Sequence, residues 1–242
     1  MNIDKKIIRN YNKKMRSLFF SFLFLIVFSL FAPAVLSAQA SLQIAPNAQS
    51  QLTALLNKPV MVRAPVTTPL GKGWYRLELD THIFTNQAGF RQVKDVMTDL
   101  TNHDRIFNGR LNKVKASIVS RNSNETIIDF TTIAIAPLGI QVRTNYRASN
   151  RFLRNTDTTI GTDIRQLSSD TETNKDMKNL HMTRYAEETE INGVKYTYIR
   201  VYSINDVQVS FIPNAENVIA NNAAPVNKEQ LELIINAAKN RL

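Results

Sequence analysis

The residues to ask first about chemistry are the three histidines, His82, His103 and His181, because imidazole titrates near neutral pH and ligates metals. Their spacing offers neither HxxxH nor HxH, so no two of them meet one metal from a single helix or strand. His82 falls among the polar positions of an alternating segment and is expected in solvent. His103 stands beside Asn102, Asp104 and Arg105, a group that reads as a helix end and a solvated turn. Asp95 and Asp99 share an i,i+4 face, but adjacent Arg91 and Lys94 make that face a solvated one. No GxSxG or SxxK nucleophile motif occurs. The absence of cysteine excludes disulfides, thiolate nucleophiles and cysteine-held metals or clusters. With seven glycines in all, Leu70-Gly71-Lys72-Gly73 lacks the spacing of a phosphate loop. The residue types therefore assemble no catalytic constellation, no metal site and no cofactor motif.

Charge points elsewhere. The 242 residues carry a formal +10, which in a folded domain would suggest nucleic acid or a membrane as partner. Half of it sits at the front, where residues 1–16 hold six basic side chains against Asp4. An apolar run from Leu18 to Ala32 follows, then Pro33 and the small-residue site Ala38-Gln39-Ala40. Basic region, short apolar core and A-x-A site make residues 1–40 a secretory signal peptide, cut after Ala40, which places the mature chain in a bacterial periplasm. The alternative is a retained anchor, but the apolar core is shorter than the ~20 residues that span a bilayer. Export and the lack of aromatics among the basic residues argue against nucleic acid. Arg105–Arg154 holds nine basic and two acidic residues, and Asn155–Asn192 four basic and eight acidic. Arg143, Arg147 and Arg151 share one face of a strand and are candidates to meet an anionic membrane surface.

The elements that must position these residues can be read from periodicity. Residues 41–72, with Pro46, Pro59, Pro65 and Pro69, read as an irregular, poorly packed lead-in that can hold a short helix around Gln49–Leu56 and a brief strand around Val60–Arg63. Tyr75–Ile83 alternates as a strand with one buried face. Phe90, Val93, Val96, Met97 and Leu100 recur at helical spacing, with Asn86 as the expected cap. Strands follow around Val114–Ile118, Thr126–Ala136, Ile140–Ser149, Thr158–Leu167, Leu180–Glu190 and Val194–Ile204. Pro137-Leu138-Gly139 marks one turn and Asn192-Gly193 a two-residue hairpin. Asn227 is expected to cap a C-terminal helix of about 15 residues with an apolar stripe through Leu231, Ile234, Ile235, Ala238 and Leu242. That amphipathic helix is the available cover for a meander with one apolar face.

This order resembles the START-like superfamily, the helix-grip fold of lipid-transfer domains, polyketide cyclase-like proteins and plant hydrophobic-ligand carriers. The residues that carry the likeness are Ile83–Phe107, similar to the family's first strand and following helix. Val194–Ile199 with Phe211-Ile212-Pro213 resembles its penultimate strand and the proline before its last helix. The likeness covers residues 73–242 and departs in the lead-in, in the two-sided apolar strand at 126–136 and in the polar insert at 168–179. It implies an α+β fold, a curved antiparallel sheet of about seven strands wrapped around a long C-terminal helix. It also implies a hydrophobic small molecule or lipid held between the two, with Phe130, Thr144, Tyr146, Tyr198, Leu231 and Ile235 as candidate lining. A buried Tyr146 hydroxyl needs a partner and could hold a ligand head group. The leading expectation is a non-enzymatic binding or transfer protein. The alternatives are a cyclase- or hydrolase-type enzyme pairing Tyr146 with an Asp or His, and an envelope protein that docks through its lead-in or arginine stripe.

Overall fold

The computed structural model describes residues 52–135, 141–169, 177–208 and 215–241. The expected leader, the Pro137–Gly139 turn and the Phe211–Pro213 segment lie outside the described residues. The elements run α1 (Leu52–Leu55), β1 (Val60–Met61), β2 (Val66–Gly71), β3 (Trp74–Thr85), α2 (Phe90–Thr98) and α3 (His103–Phe107). They continue with β4 (Asn112–Arg121), β5 (Glu125–Ile135), β6 (Gln141–Asn155), β7 (Thr159–Ser169), β8 (Met177–Ile191), β9 (Val194–Gln208) and α4 (Ala215–Lys239).

All strands join one antiparallel sheet in the order β1-β3-β9-β8-β7-β6-β5-β4, with β2 also on β3. Strands β4 to β9 form a meander, each paired with the next in sequence. β3 then lies against β9, in register from Trp74 opposite Gln208 to Thr85 opposite Thr197. The β8–β9 hairpin turns at Asn192 and Gly193, whose φ angles of 53° and 77° are the left-handed pair that a type I′ turn requires.

Helix α4 covers the sheet's inner face, packing on β3, β9, α2 and α3. Ile219, Ala223, Val226, Leu231, Ile234, Ile235 and Ala238 supply its buried stripe. It is longer than the periodicity predicts, 25 residues with Pro225 inside. Pro225 and Asn221 both lie on the exposed side, so the carbonyl freed by the missing N–H can meet water. Asn227 is therefore not a cap. It sits mid-helix and donates from Nδ2 to Thr81 Oγ1 at 3.0 Å, fastening α4 to β3. A second clamp is Glu229, whose carboxylate accepts the backbone N–H of Arg110 at 2.8 Å and of Leu111 at 3.1 Å. Gly109 allows that approach, since a Cβ there would collide with the Glu229 carboxylate. Asn86 likewise does not cap α2, whose N-cap is Gly89. Its side chain accepts from Asn57 Nδ2 at 2.8 Å instead.

The outer face corrects three expectations. The lead-in is packed: Leu55 is fully buried and joins Phe84, Tyr185 and Tyr198 in a second cluster, flanked by Leu52, Val60 and Val62. Strand β3 is consequently buried on both faces from Leu79 to Thr85, not on one. His82 lies beneath that cover at 0% exposure and not in solvent. Its Nε2–H donates to Asp80 Oδ1 at 2.8 Å, which leaves Nδ1 to accept the Tyr198 hydroxyl. Asp80 also accepts two parallel bonds from Arg200, each 2.8 Å. Burial pushes the Asp80 carboxyl up, but His82 and Arg200 outweigh it and hold the group at about 2. Further along, His181 and Arg165 both bond Asp163 on the outer face.

Two measurements check this packing. Leu55→Ala should lower unfolding stability by about 3 kcal/mol, as for a buried leucine elsewhere; an unchanged denaturation midpoint would return the lead-in to solvent. Asp80 is lowered on folding, so its contribution is complete above about pH 4 and is lost as pH falls toward 2, worth about 2 kcal/mol. Asp80→Asn should destabilise the protein by about 3 kcal/mol at neutral pH and flatten the stability profile over that acid range.

Candidate functional site

Because side chains alternate along strands and register partners share a face, the inner face can be assembled row by row. Phe130 of β5 stands opposite Tyr146 of β6, and Ile128 opposite Ala148. Thr162 of β7 stands opposite Arg184 of β8, and Arg184 in turn opposite Val201 of β9. These positions line the main core, into which α2, α3 and α4 also send their apolar faces.

Helix α3 brings His103 and Phe107, one turn apart, down onto this face. Tyr146 stacks on Phe130 with ring centroids 5.2 Å apart. His103 meets the other side of the group, its ring 5.2 Å from Phe130 and 4.4 Å from Phe107. The Arg184 guanidinium lies 4.2 Å from the centre of the Phe107 ring, a cation–π contact. His103 is thus a core residue, 2% exposed, and not part of a solvated turn.

Charge within this group is one-sided. Burial brings Arg184 down to about 10, which the nearby Tyr146 hydroxyl only partly opposes, so the guanidinium stays charged at neutral pH. Burial pushes the Tyr146 phenol well above its usual value, and Arg184 pulls weakly the other way. Burial, then the positive charge of Arg184, pushes His103 well below its usual value. At neutral pH the interior holds a neutral phenol, a neutral imidazole and one cation. A phenol so raised donates a hydrogen bond but does not serve as a base.

Among the described residues, the buried side-chain atoms without a hydrogen-bond partner belong to residues on the inner face of the sheet or on α4. They are Asn112 Oδ1 on β4, Thr132 Oγ1 on β5, Asn150 Oδ1 on β6, Thr162 Oγ1 on β7, and Nε and Nη2 of Arg184 on β8. Gln230 Oε1 on α4 is a further one. Five consecutive strands therefore each place one polar group with unused capacity in an otherwise apolar interior. A depression of about 390 Å³ opens between α3 and α4, and its walls include Ile106 and Ala237, which also touch the core.

Four of the expected lining residues, Phe130, Tyr146, Leu231 and Ile235, do share this core. Tyr198 does not: its neighbour Ile199 points inward, so Tyr198 faces outward among His82, Phe84 and Tyr185. Tyr196, Tyr198 and Tyr202 alternate onto one face of the aromatic strand, and whether that face turns in or out depends on the register of β9, which the strand's own sequence does not state. Thr144 pairs with Thr132, and Arg143 with Ile133. Both of their side chains lie outside what is described. On the outer face Arg147 grips Asp129 with bonds of 2.7 and 2.8 Å, and Arg151 meets Glu125 at 2.6 Å. Arg184 was not anticipated from sequence. Its signal is an arginine set in the alternating apolar series Leu180, Met182, Arg184, Ala186, at a position where a solvated residue would break the face.

No family model and no curated protein matches the sequence. Solved structures do. Human StAR-related lipid transfer protein 5 aligns over 74% of this chain and 88% of its own, with 12% identity and a TM-score of 0.50. Truncated norcoclaurine synthase from Thalictrum flavum aligns over 75% of this chain and 97% of its own, with 11% identity and a TM-score of 0.39. The chain has a helix-grip fold, in which two short strands, β1 and β2, pair with β3 at the edge of the seven-stranded sheet β3–β9.

Proposed function

We propose that this chain is an exported, non-enzymatic protein that binds or carries a lipid or other hydrophobic small molecule between the sheet and α4. The observation that carries the reading is the row of unpartnered polar atoms on the inner face. Leaving a buried polar group unsatisfied costs about 1–3 kcal/mol, and five strands in succession bear that cost in one interior. A binding cavity has this composition: walls mainly apolar, with a few convergent polar groups that orient what enters. The lipid-transfer protein that shares the fold supports a hydrophobic cargo. Export rests on the basic, apolar and A-x-A arrangement of residues 1–40.

Native mass spectrometry of protein taken from its own envelope fraction, followed by organic extraction, tests the reading. The expected result is an added mass that extraction removes, on a chain whose N-terminus is Ser41. Recovery of bare protein only, from a molecule whose interior is filled by its own side chains, would overturn the carrier reading. A retained N-terminus would overturn the cleavage step.

A further inference from the structure

The inner face distinguishes one class of hydrophobic ligand from the rest. Arg184 is 2% exposed, and it belongs to the fully buried side chains of the core. Desolvating a guanidinium is costly unless an anion and its oxygens replace water. Here the group that opposes its loss of charge is a neutral phenol, and no acidic side chain among the described residues forms an ion pair with it.

The atoms left open are informative. Nε and Nη2 form the edge of the guanidinium whose two N–H bonds run parallel. Three other arginines hold a carboxylate with that same edge: Arg76 on Asp206 at 2.8 and 3.1 Å, Arg147 on Asp129 at 2.7 and 2.8 Å, Arg200 on Asp80 at 2.8 Å twice. Those three face outward. Arg184 presents the equivalent edge inward with no partner among the described residues. Phe107 closes one face of its guanidinium plane. Thr162, its register partner, has an unused hydroxyl beside it.

We propose that the ligand is an amphiphile with an ionised carboxylate, gripped by the Nε and Nη2 of Arg184, with its apolar body along the core beside Phe130 and Tyr146. This rests on the carrier reading above and narrows it to an acidic cargo. A single cation with no acid beside it calls for one negative charge, and a neutral sterol or alcohol would leave the guanidinium uncompensated.

Isothermal titration of the mature chain with decanoate and with 1-decanol, at neutral pH, tests both levels. Decanoate is expected to bind at least tenfold more tightly than the alcohol of equal length. Arg184→Met should abolish that preference while leaving alcohol binding in place, and Arg184→Lys, which keeps the charge but loses the fork, should weaken decanoate to an intermediate degree. The ligand-free Arg184→Met protein should also melt at a higher temperature than the parent, because it removes an uncompensated buried charge. Equal affinity of the parent for acid and alcohol would overturn the acidic-cargo proposal and leave the carrier reading standing. Failure of both ligands to bind the parent would overturn the two together. A lower melting temperature for Arg184→Met would assign Arg184 to structural packing and likewise overturn the proposal.

Discussion

The structure depends on a single constraint: a large antiparallel sheet must have both its faces covered, and this chain uses different materials for each. The inner face is closed by α4 with α2 and α3, an apolar cover of interlocking aliphatic side chains. The outer face near β3 and β9 is closed by a short piece of lead-in, α1 and β1, over a polar ladder whose members satisfy one another. Asp80, His82, Tyr198 and Arg200 lie in adjacent rows and exchange hydrogen bonds directly. Burial that would be costly for each alone becomes tolerable for the set, because each charge has a partner and each nitrogen a role.

The two faces differ in how their buried polar groups are satisfied. On the outer face, buried ionisable groups are paired, and the two Asp–His contacts are fixtures of the sheet. On the inner face the unpartnered polar atoms are spread over five strands and α4, and Arg184 has an aromatic ring beside it where the outer arginines have carboxylates. A satisfied network rigidifies, whereas a scattered set of unsatisfied groups in an apolar interior has capacity left for something else.

Much of the fold was legible. Alternation in β3 and β6, the helical spacing of α2, the Asn192-Gly193 turn and the stripe of α4 each reflect local rules that operate within a dozen residues. Their order was enough to reach the helix-grip arrangement and to put Phe130, Tyr146, Leu231 and Ile235 in the same core. The expectations that failed all concern contacts between distant segments. Asn86 and Asn227 have the residue type of a helix cap, but tertiary partners, Asn57 and Thr81, claim their side chains. The lead-in has little periodicity because one buried leucine and a strand of two residues are too short to show any. His82 occupies a polar position in its strand, and only the cover contributed by residues 52–62 makes that position an interior one.

By itself, the sequence determined what is local: which segments are strands and helices, where the tight hairpin must turn, that no thiol or thiolate-metal chemistry exists, and that an apolar helix must cover a sheet. Side-chain period and turn geometry are properties of a few adjacent residues, so they survive without the rest of the chain. The tertiary structure alone decided which face each strand turns inward, and with it that Tyr146 lies inside while Tyr198 lies outside. It also decided that Arg184 is buried without an acid among the described residues. A period-two strand has two equivalent faces until its neighbour's register selects one, and a charge is neither paired nor orphaned until the strands beside it are in place.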